Sequence, residues 1–207
     1  MYTKAKRHFK KADPVLYGVA LKHDIEDIMA SDDLFRDIVW TIIGQQLSGK
    51  AADTIFGRFK MLFKDGILTP EKIMKLTDIK IRGVGISGAK MRAIRSLSEK
   101  VKQGELDLKR LPLLKDYEVM TVLTSVKGIG PWTAEMILMF SLGRTDIFST
   151  GDLALRKGIV ELYNLKKFPG EKKLQAIIGA WSPYRTYAAK ILWRVIDQKK
   201  KDGEKKI

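Results

Sequence analysis

The sequence contains no cysteine. That removes disulfide bonds, cysteine-ligated zinc, iron–sulfur clusters and thiol nucleophiles in one step. Histidine is nearly as scarce. His8 and His23 are the only two, too few for a histidine-rich metal centre. No apolar run approaches the ~18 residues of a membrane-spanning helix. The basic start, "MYTKAKRHFKKADP", is not followed by the apolar stretch of a secretory signal. These absences lead to the expectation of an intracellular protein, cytoplasmic if its source is prokaryotic. Runs of alternating β-branched residues are missing too, so no strand is expected. Acidic residues are in short supply: 24 Asp+Glu stand against 39 Lys+Arg, a formal net charge of +15.

That imbalance is the electrostatic footprint of a nucleic-acid binder, although a merely basic soluble protein would share it. Lys199, Lys200, Lys201, Lys205 and Lys206 read as a solvated tail that says little about the folded surface. The 207 residues, 45% of them hydrophobic, suffice for one domain or two closely joined lobes with a real core. The apolar pattern reads as about ten helices with short connections, an all-α fold. Asp13-Pro14 and Thr69-Pro70 are cap-plus-proline starts, and Ser182-Pro183 repeats the pattern before a helix from 183 to 198. Ser31 or Asp32 caps a helix from Leu34 to about Leu47. Further helices are expected at 51–63, 70–76, 87–101, 117–125, 131–142, 152–165 and 171–180. "IRGVGISGAKMRAI" at 81–94 and "VKGIGPWTAEMIL" at 126–138 echo each other, which points to two helix–turn–helix units of similar backbone shape.

The second of these stretches has a definite physical capability. Glycine accepts a left-handed backbone and allows close approach. Pro131 suits the first turn of the following helix, where its missing N–H costs nothing. The free N–H groups of the turn and of that helix's first residues then point outward together, at the positive end of the helix dipole. Lys127 can add charge and Thr133 a hydroxyl. On so basic a protein the natural anion is a nucleic-acid phosphate. An ordinary glycine C-cap followed by an N-cap would leave the same residues.

"LTSVKGIGPWTAEMILMF" followed by "DIFSTGDLALRKGI" resembles the helix-hairpin-helix (HhH-GPD) DNA glycosylase superfamily, and within it the alkylpurine branch of the DNA-3-methyladenine glycosylase II type. "IVWTIIGQQLSGKAADTIFGRF" at 38–59, "GISGAKMRAIRSL" and "WSPYRTYAAKILWR" at 181–194 are similar to that branch's other marker segments, so the resemblance runs from about Asp32 to Arg194. It implies a two-lobed helical fold with a central cleft: a central lobe at 32–143 carrying the hairpin, and a second lobe of 1–31 plus 144–207 carrying a catalytic aspartate. It also implies a monomeric enzyme of base excision repair that acts on double-stranded DNA containing damaged bases.

On this resemblance Asp152 is the catalytic aspartate. A carboxylate in a helix's first turn is held ionised by the dipole and by free N–H groups, and a fixed anion stabilises oxocarbenium character on a sugar. An aspartate there could also be a plain helix cap. The branch often has a second acid just before it; here that residue is Gly151, which leaves open how Asp152 is oriented. Asp146 is a rival carboxylate, better read as a loop cap or an ion-pair partner of Arg144. Bifunctional relatives carry a Schiff-base lysine two places after the second hairpin glycine. Trp132 occupies that position here, which implies a hydrolase without lyase activity. Trp132 and Trp181 match the family's pocket aromatics, with Tyr184 and Met136 beside them, and an aromatic pocket holds a cationic alkylpurine at ~0.5–2 kcal/mol per ring. Trp40 and Trp193 are assigned to the core. DNA contacts fall to Lys127, Gly128, Gly130 and Thr133, with Gln46 as the wedge that fills the stack and Leu47 as its alternative. Gln45 and Ser48 could equally be helix-end hydrogen-bonding residues. The family's hairpin also holds a monovalent Na+ or K+ ion through main-chain carbonyls, here those of Thr124, Val126 and Ile129. No cofactor is required. Uracil, hypoxanthine or oxidised guanine excision, and a non-catalytic DNA-binding module, are the competing readings.

Overall fold

The computed structural model describes residues 1–204, with side chains through Lys199. Lys200, Lys201, Lys205 and Lys206, read from sequence as a solvated tail, lie outside the described side chains. Lys199 is within them and is exposed, paired with Glu161 at 2.5 Å. Among the described residues every regular element is helical. No helix is long and apolar enough to cross a membrane. The chain divides into two compact units: Met1–Met29 together with the chain from Gly143 onward, and Ala30–Leu142.

The first unit contains α1 (Tyr2–Ala12), α2 (Pro14–Ala20), α10 (Leu153–Leu162), α11 (Glu171–Ala180) and α12 (Arg185–Glu204). Sequence reading missed α1 because it is lysine-rich and has no side-chain cap. Its Tyr2, Ala5 and Phe9 nonetheless form a buried stripe. Asp13 caps α2 through Leu16 N–H, with Pro14 at the first position as expected. The core of this unit joins Phe9, Leu16, Leu155, Ile159, Trp181 and Leu192. On α10, Gly158 lets α12 come close: a Cβ at that position would stand 3.0 Å from Leu192 Cβ. The expected start of α12 at Ser182-Pro183 is not used. The Ser182–Pro183 bond is cis, Tyr184 N–H closes a tight turn onto Trp181 O at 2.7 Å, and Ser182 Oγ donates to Asp146 at 2.8 Å instead of capping a helix.

The second unit contains α3 (Leu34–Gly44), α4 (Gly49–Lys60), α5 (Pro70–Met74), α6 (Asp78–Gly83), α7 (Gly88–Lys102), α8 (Asp116–Thr124) and α9 (Pro131–Met136). A 3-10 segment, Leu108–Leu113, precedes α8, and a π-helical turn, Ile137–Ser141, continues α9. The cap of α3 is Asp33, whose side chain accepts from Arg36 N–H. Neither Ser31 nor Asp32 takes that role, and the helix stops at Gly44, short of Leu47.

The two glycine turns are related, but not in the register that the sequence echo gave. At 83–85 the left-handed residue is the second glycine, Gly85 (φ +101°); at 128–130 it is the first, Gly128 (φ +90°). In each turn the left-handed glycine is followed by a buried isoleucine, Ile86 or Ile129, and then by the N-cap of the next helix, Ser87 or Gly130. The backbones therefore correspond after a two-residue slip of the sequence repeat.

Candidate functional site

In the second unit, α8 ends at Thr124 and the chain turns through Val126, Gly128 and Ile129 into α9. Val126 and Ile129 point into the core and are tied by Ile129 N–H to Val126 O at 3.0 Å. With the apolar residues turned inward, Lys127 and the two glycines remain on the surface. The left-handed Gly128 lies so close to α7 that a Cβ there would stand 2.4 Å from Ala93 Cβ. Gly130 has extended angles and open space around it. Two glycines equivalent in the sequence pattern thus have different physical roles: one is required by sterics and the other leaves surface clear. Pro131 opens α9, so its missing N–H falls where no helical partner exists.

Thr133 does not present its hydroxyl to an outside phosphate. It is 2% exposed, and its Oγ1 accepts a hydrogen bond from Gln45 Nε2 at 2.9 Å. Gln45 Nε2 also donates to Gly128 O at 3.1 Å. The end of α3 is thereby fastened to the hairpin, which settles Gln45 as a helix-end hydrogen-bonding residue. Ser48 is the other such residue; its Oγ caps α4 by accepting from Ala51 N–H. Lys90 Nζ donates to Ile43 O at 2.8 Å, and burial holds its ammonium pKa below the usual lysine value. Between these anchors stand exposed Gln46, in the left-handed region at φ +59°, and Leu47, 39% exposed. A non-glycine residue held there stores of order 1–3 kcal/mol of strain, and such residues cluster at functional sites.

Trp132, on the first turn of α9, is half-buried, while Met136, one turn on, is 7% exposed and offers little surface. Trp40 departs from its expected core position. It is 38% exposed, with its indole N–H donating to Asp53 at 3.0 Å.

In the first unit, Asp152 is the N-cap of α10, and its Oδ1 accepts from Leu155 N–H at 2.8 Å. The same oxygen accepts from the indole Nε1 of Trp193 at 3.4 Å. Trp193, assigned to the core from sequence, is half-buried: it packs against the core of this unit while its N–H meets this carboxylate. Nothing in the local sequence links the two residues.

Trp181 is a correction. Expected in a base pocket, it is 0% exposed. Its ring packs against Phe148 at 5.3 Å between centroids, and its N–H donates to Asp13 Oδ2 at 2.7 Å. Asp13 also accepts from the Tyr163 hydroxyl, whose pKa is driven well above the usual tyrosine value by burial and then by that carboxylate. Buried polar groups without such partners are costly, so this three-residue network locks Trp181 into the core. Tyr184 is half-buried, tilted against His8 and Tyr187. Asp146 is a structural carboxylate, paired with Arg185. The guanidinium spans both oxygens, Nε to Oδ1 at 2.7 Å and Nη2 to Oδ2 at 3.0 Å.

No cluster of three or more His, Asp or Glu side chains able to hold a metal occurs among the described residues. At the hairpin the available donors are main-chain carbonyls, the hard oxygen type that suits an alkali cation.

Comparison with known proteins gives a consistent pattern. The profile of the HhH-GPD superfamily of base excision DNA repair proteins matches residues 39–183. The chain is 34% identical to DNA-3-methyladenine glycosylase 1 of Schizosaccharomyces pombe, over 80% of this chain and 74% of that one. It is 32% identical to the putative DNA-3-methyladenine glycosylase YfjP of Bacillus subtilis, over 92% and 68%. Among solved structures, the S. pombe 3-methyladenine DNA glycosylase Mag1 in complex with abasic DNA aligns with a TM-score of 0.82 at 31% identity, covering 92% of this chain and 95% of that one. A DNA-3-methyladenine glycosidase from Bacillus halodurans aligns at 0.75 and 36% identity, over 91% and 88%.

Proposed function

The chain belongs to the HhH-GPD superfamily of base excision DNA repair proteins, and from that premise we propose that it is a monofunctional glycosylase excising alkylated purines of the 3-methyladenine and 7-methylguanine type. It is a DNA glycosylase that acts on damaged double-stranded DNA, as its relatives' names and their complexes with DNA support. The hairpin holds a backbone phosphate through the exposed N–H groups around Gly128 and Gly130, with Lys127 adding charge; such contacts position the protein without reading sequence. The exposed, strained Gln46, with Leu47 beside it, fills the space left by the flipped nucleotide. Thr124, Val126 and Ile129 supply carbonyl oxygens that fit Na+ or K+, and a bound ion would add positive charge beside the phosphate.

The observation that carries the enzymatic reading is Asp152, half-buried and held at a helix N-terminus by backbone and indole N–H groups. A module that only grips phosphates has no use for an oriented anion. As the C1′–N bond breaks, the bonding electrons leave with the base. The carboxylate stabilises the positive charge growing on the sugar and takes the proton of the attacking water. An alkylated purine leaves readily because it already carries positive charge, so no strong general acid is needed. Trp132 offers that cationic base a π-face. It also stands where a Schiff-base lysine would be required for strand cleavage, so the reaction stops at the abasic site.

The test is incubation with duplexes carrying single lesions, followed by alkali. Alkali-dependent cleavage at 7-methylguanine or 3-methyladenine is expected. Losing one well-aimed electrostatic group costs ~2.7–4 kcal/mol, so Asp152→Asn should slow release by about 100-fold or more. Cleavage without alkali would refute the monofunctional assignment. Release of uracil, hypoxanthine or oxidised guanine but not of alkylpurines would refute the substrate class, and no release from any lesion would leave only a binding module.

A further inference from the structure

We infer that Lys90 is a positioning residue for Gln46, an inference that rests on the wedge reading of Gln46 above. Gln46 is presented by a tight turn at the end of α3. Gln45 takes φ −49° and ψ 127°, Gln46 follows at φ +59°, and Leu47 N–H closes onto Gly44 O at 3.0 Å. This is the pattern of a type II turn, whose third residue is ordinarily glycine because the backbone there is left-handed. A glutamine in that place is held against its own preference, and such a residue persists where its surroundings fix the turn from outside. The fixing group comes from α7. Lys90 Nζ donates to Ile43 O at 2.8 Å, on the residue just before the turn. In a continuing helix that carbonyl would accept from Leu47 N–H, four residues on. Leu47 N–H is committed to Gly44 O instead, and the lysine ammonium serves Ile43 O. Gln45, the first residue of the bend, is tied in turn to the hairpin at Gly128 O and Thr133. The chain is thus held on the residue before the turn and on its first corner, and Gln46 comes next.

Lys90 is placed against ordinary helix electrostatics. It stands in the first turn of α7, just after the cap Ser87, where the helix dipole disfavours a cation. It is half-buried, and burial lowers its ammonium pKa. Both costs are offset at one point, the C-terminal end of α3, whose carbonyls carry the opposite partial charge. A lysine serving only solubility would extend outward, whereas this one turns in to a main-chain oxygen of another helix. Local rules broken with a long-range compensation mark functional positions. While Lys90 holds Ile43 O, the chain leaves α3 in one direction and Gln46 meets the base stack already in place. Without that bond the strained turn relaxes, and the wedge has to be ordered during flipping, which gives up the benefit of a preformed loop.

Three measurements on the full chain test this. The first is single-turnover base release, with enzyme in excess, from a duplex with one 7-methylguanine. Lys90→Met keeps the apolar stem and removes the donor. A hydrogen bond from a charged group is worth enough for this change to slow release about tenfold. The second is the same substitution in a Gln46→Ala background, where it should alter the rate by less than about twofold, because a residue that acts through Gln46 has nothing left to position. The third is amide hydrogen exchange at Leu47, whose N–H closes the turn. Lys90→Met should speed it about tenfold while the amides of buried Ile94 and Leu97 in α7 keep their rates. Lys90→Gln, uncharged and shorter, should follow Lys90→Met in all three. Wild-type release rates in both Lys90 variants would overturn the inference, as would equal slowing with and without the Gln46 side chain, or unchanged exchange at Leu47. Should Gln46→Ala release base at the wild-type rate, the wedge reading fails, and Leu47 exchange alone decides whether Lys90 holds the turn.

Discussion

Replacing Gly128 by alanine brings two separable costs. The residue sits at φ +90°, and an L-side chain in the left-handed region costs roughly 1–2 kcal/mol. The new Cβ would also stand 2.4 Å from Ala93 Cβ and 3.3 Å from Ala93 Cα. Ala93 lies in the middle of α7 with almost no exposure, so it cannot swing aside as a long side chain would. Relief requires moving the hairpin or the helix, and overpacking of this kind costs about 1–3 kcal/mol. Gly128→Ala should therefore destabilise by about 2–5 kcal/mol in urea unfolding. Gly130→Ala, at extended angles and in open space, should stay within about 0.5 kcal/mol. Adding Ala93→Gly to Gly128→Ala removes the Cβ–Cβ clash but not the backbone strain. The double variant should recover part of the loss, net of the ~1 kcal/mol that a helical glycine costs. Equal effects at Gly128 and Gly130, or no recovery with Ala93→Gly, would refute the reasoning. Duplex binding measured in the same variants should fall for Gly128→Ala by similar factors on all sequences, because a displaced hairpin loses phosphate contacts alone.

Three other outcomes are expected. Burial alone would raise the Asp146 carboxyl, but hydrogen bonds from Arg185 and Ser182 outweigh it and hold the group below the usual aspartate value. A carboxylate depressed in the folded state contributes stability that is complete above the unfolded value of ~3.9 and is lost as pH falls towards the lower folded value. Urea midpoints taken from about pH 5 downward should fall more steeply for the wild type than for Asp146→Asn; parallel curves would exclude the pair as a stabilising contact. Gln45→Ala strips donors from Gly128 O and from the buried Thr133 hydroxyl, at a cost of about 1–3 kcal/mol in unfolding free energy. It should also weaken binding to an abasic duplex, because the loop that carries Gln46 is no longer tied to the hairpin. Lys127→Ala should reduce the slope of log affinity against log salt by about one phosphate contact, without changing lesion preference.

Much of this protein is written in short-range pattern. The cap-plus-proline starts at Asp13-Pro14 and Thr69-Pro70, the hairpin glycines and the N-cap position of Asp152 are decided by residues within one or two helical turns. Composition alone excludes cysteine chemistry, and the tryptophan in the lysine position is read directly. Pairings between residues far apart in the chain are not legible in this way. Trp181 and Trp193 are both tryptophans in one marker segment, yet one is locked in the core by Asp13 and the other lies against Asp152. The choice depends on which face of α12 and of the turn before it meets the helices from the other end of the chain. Thr133 is removed from phosphate binding by a glutamine more than eighty residues away. Which glycine of each pair turns left-handed depends on the helix packed behind it, as Ala93 does behind Gly128. Local sequence determines where helices such as α2, α5 and α9 start, while at Ser182-Pro183 a bond to Asp146 takes the place of the expected cap. Burial and long-range hydrogen bonds, set only when the helices pack, decide which residues face outward to act.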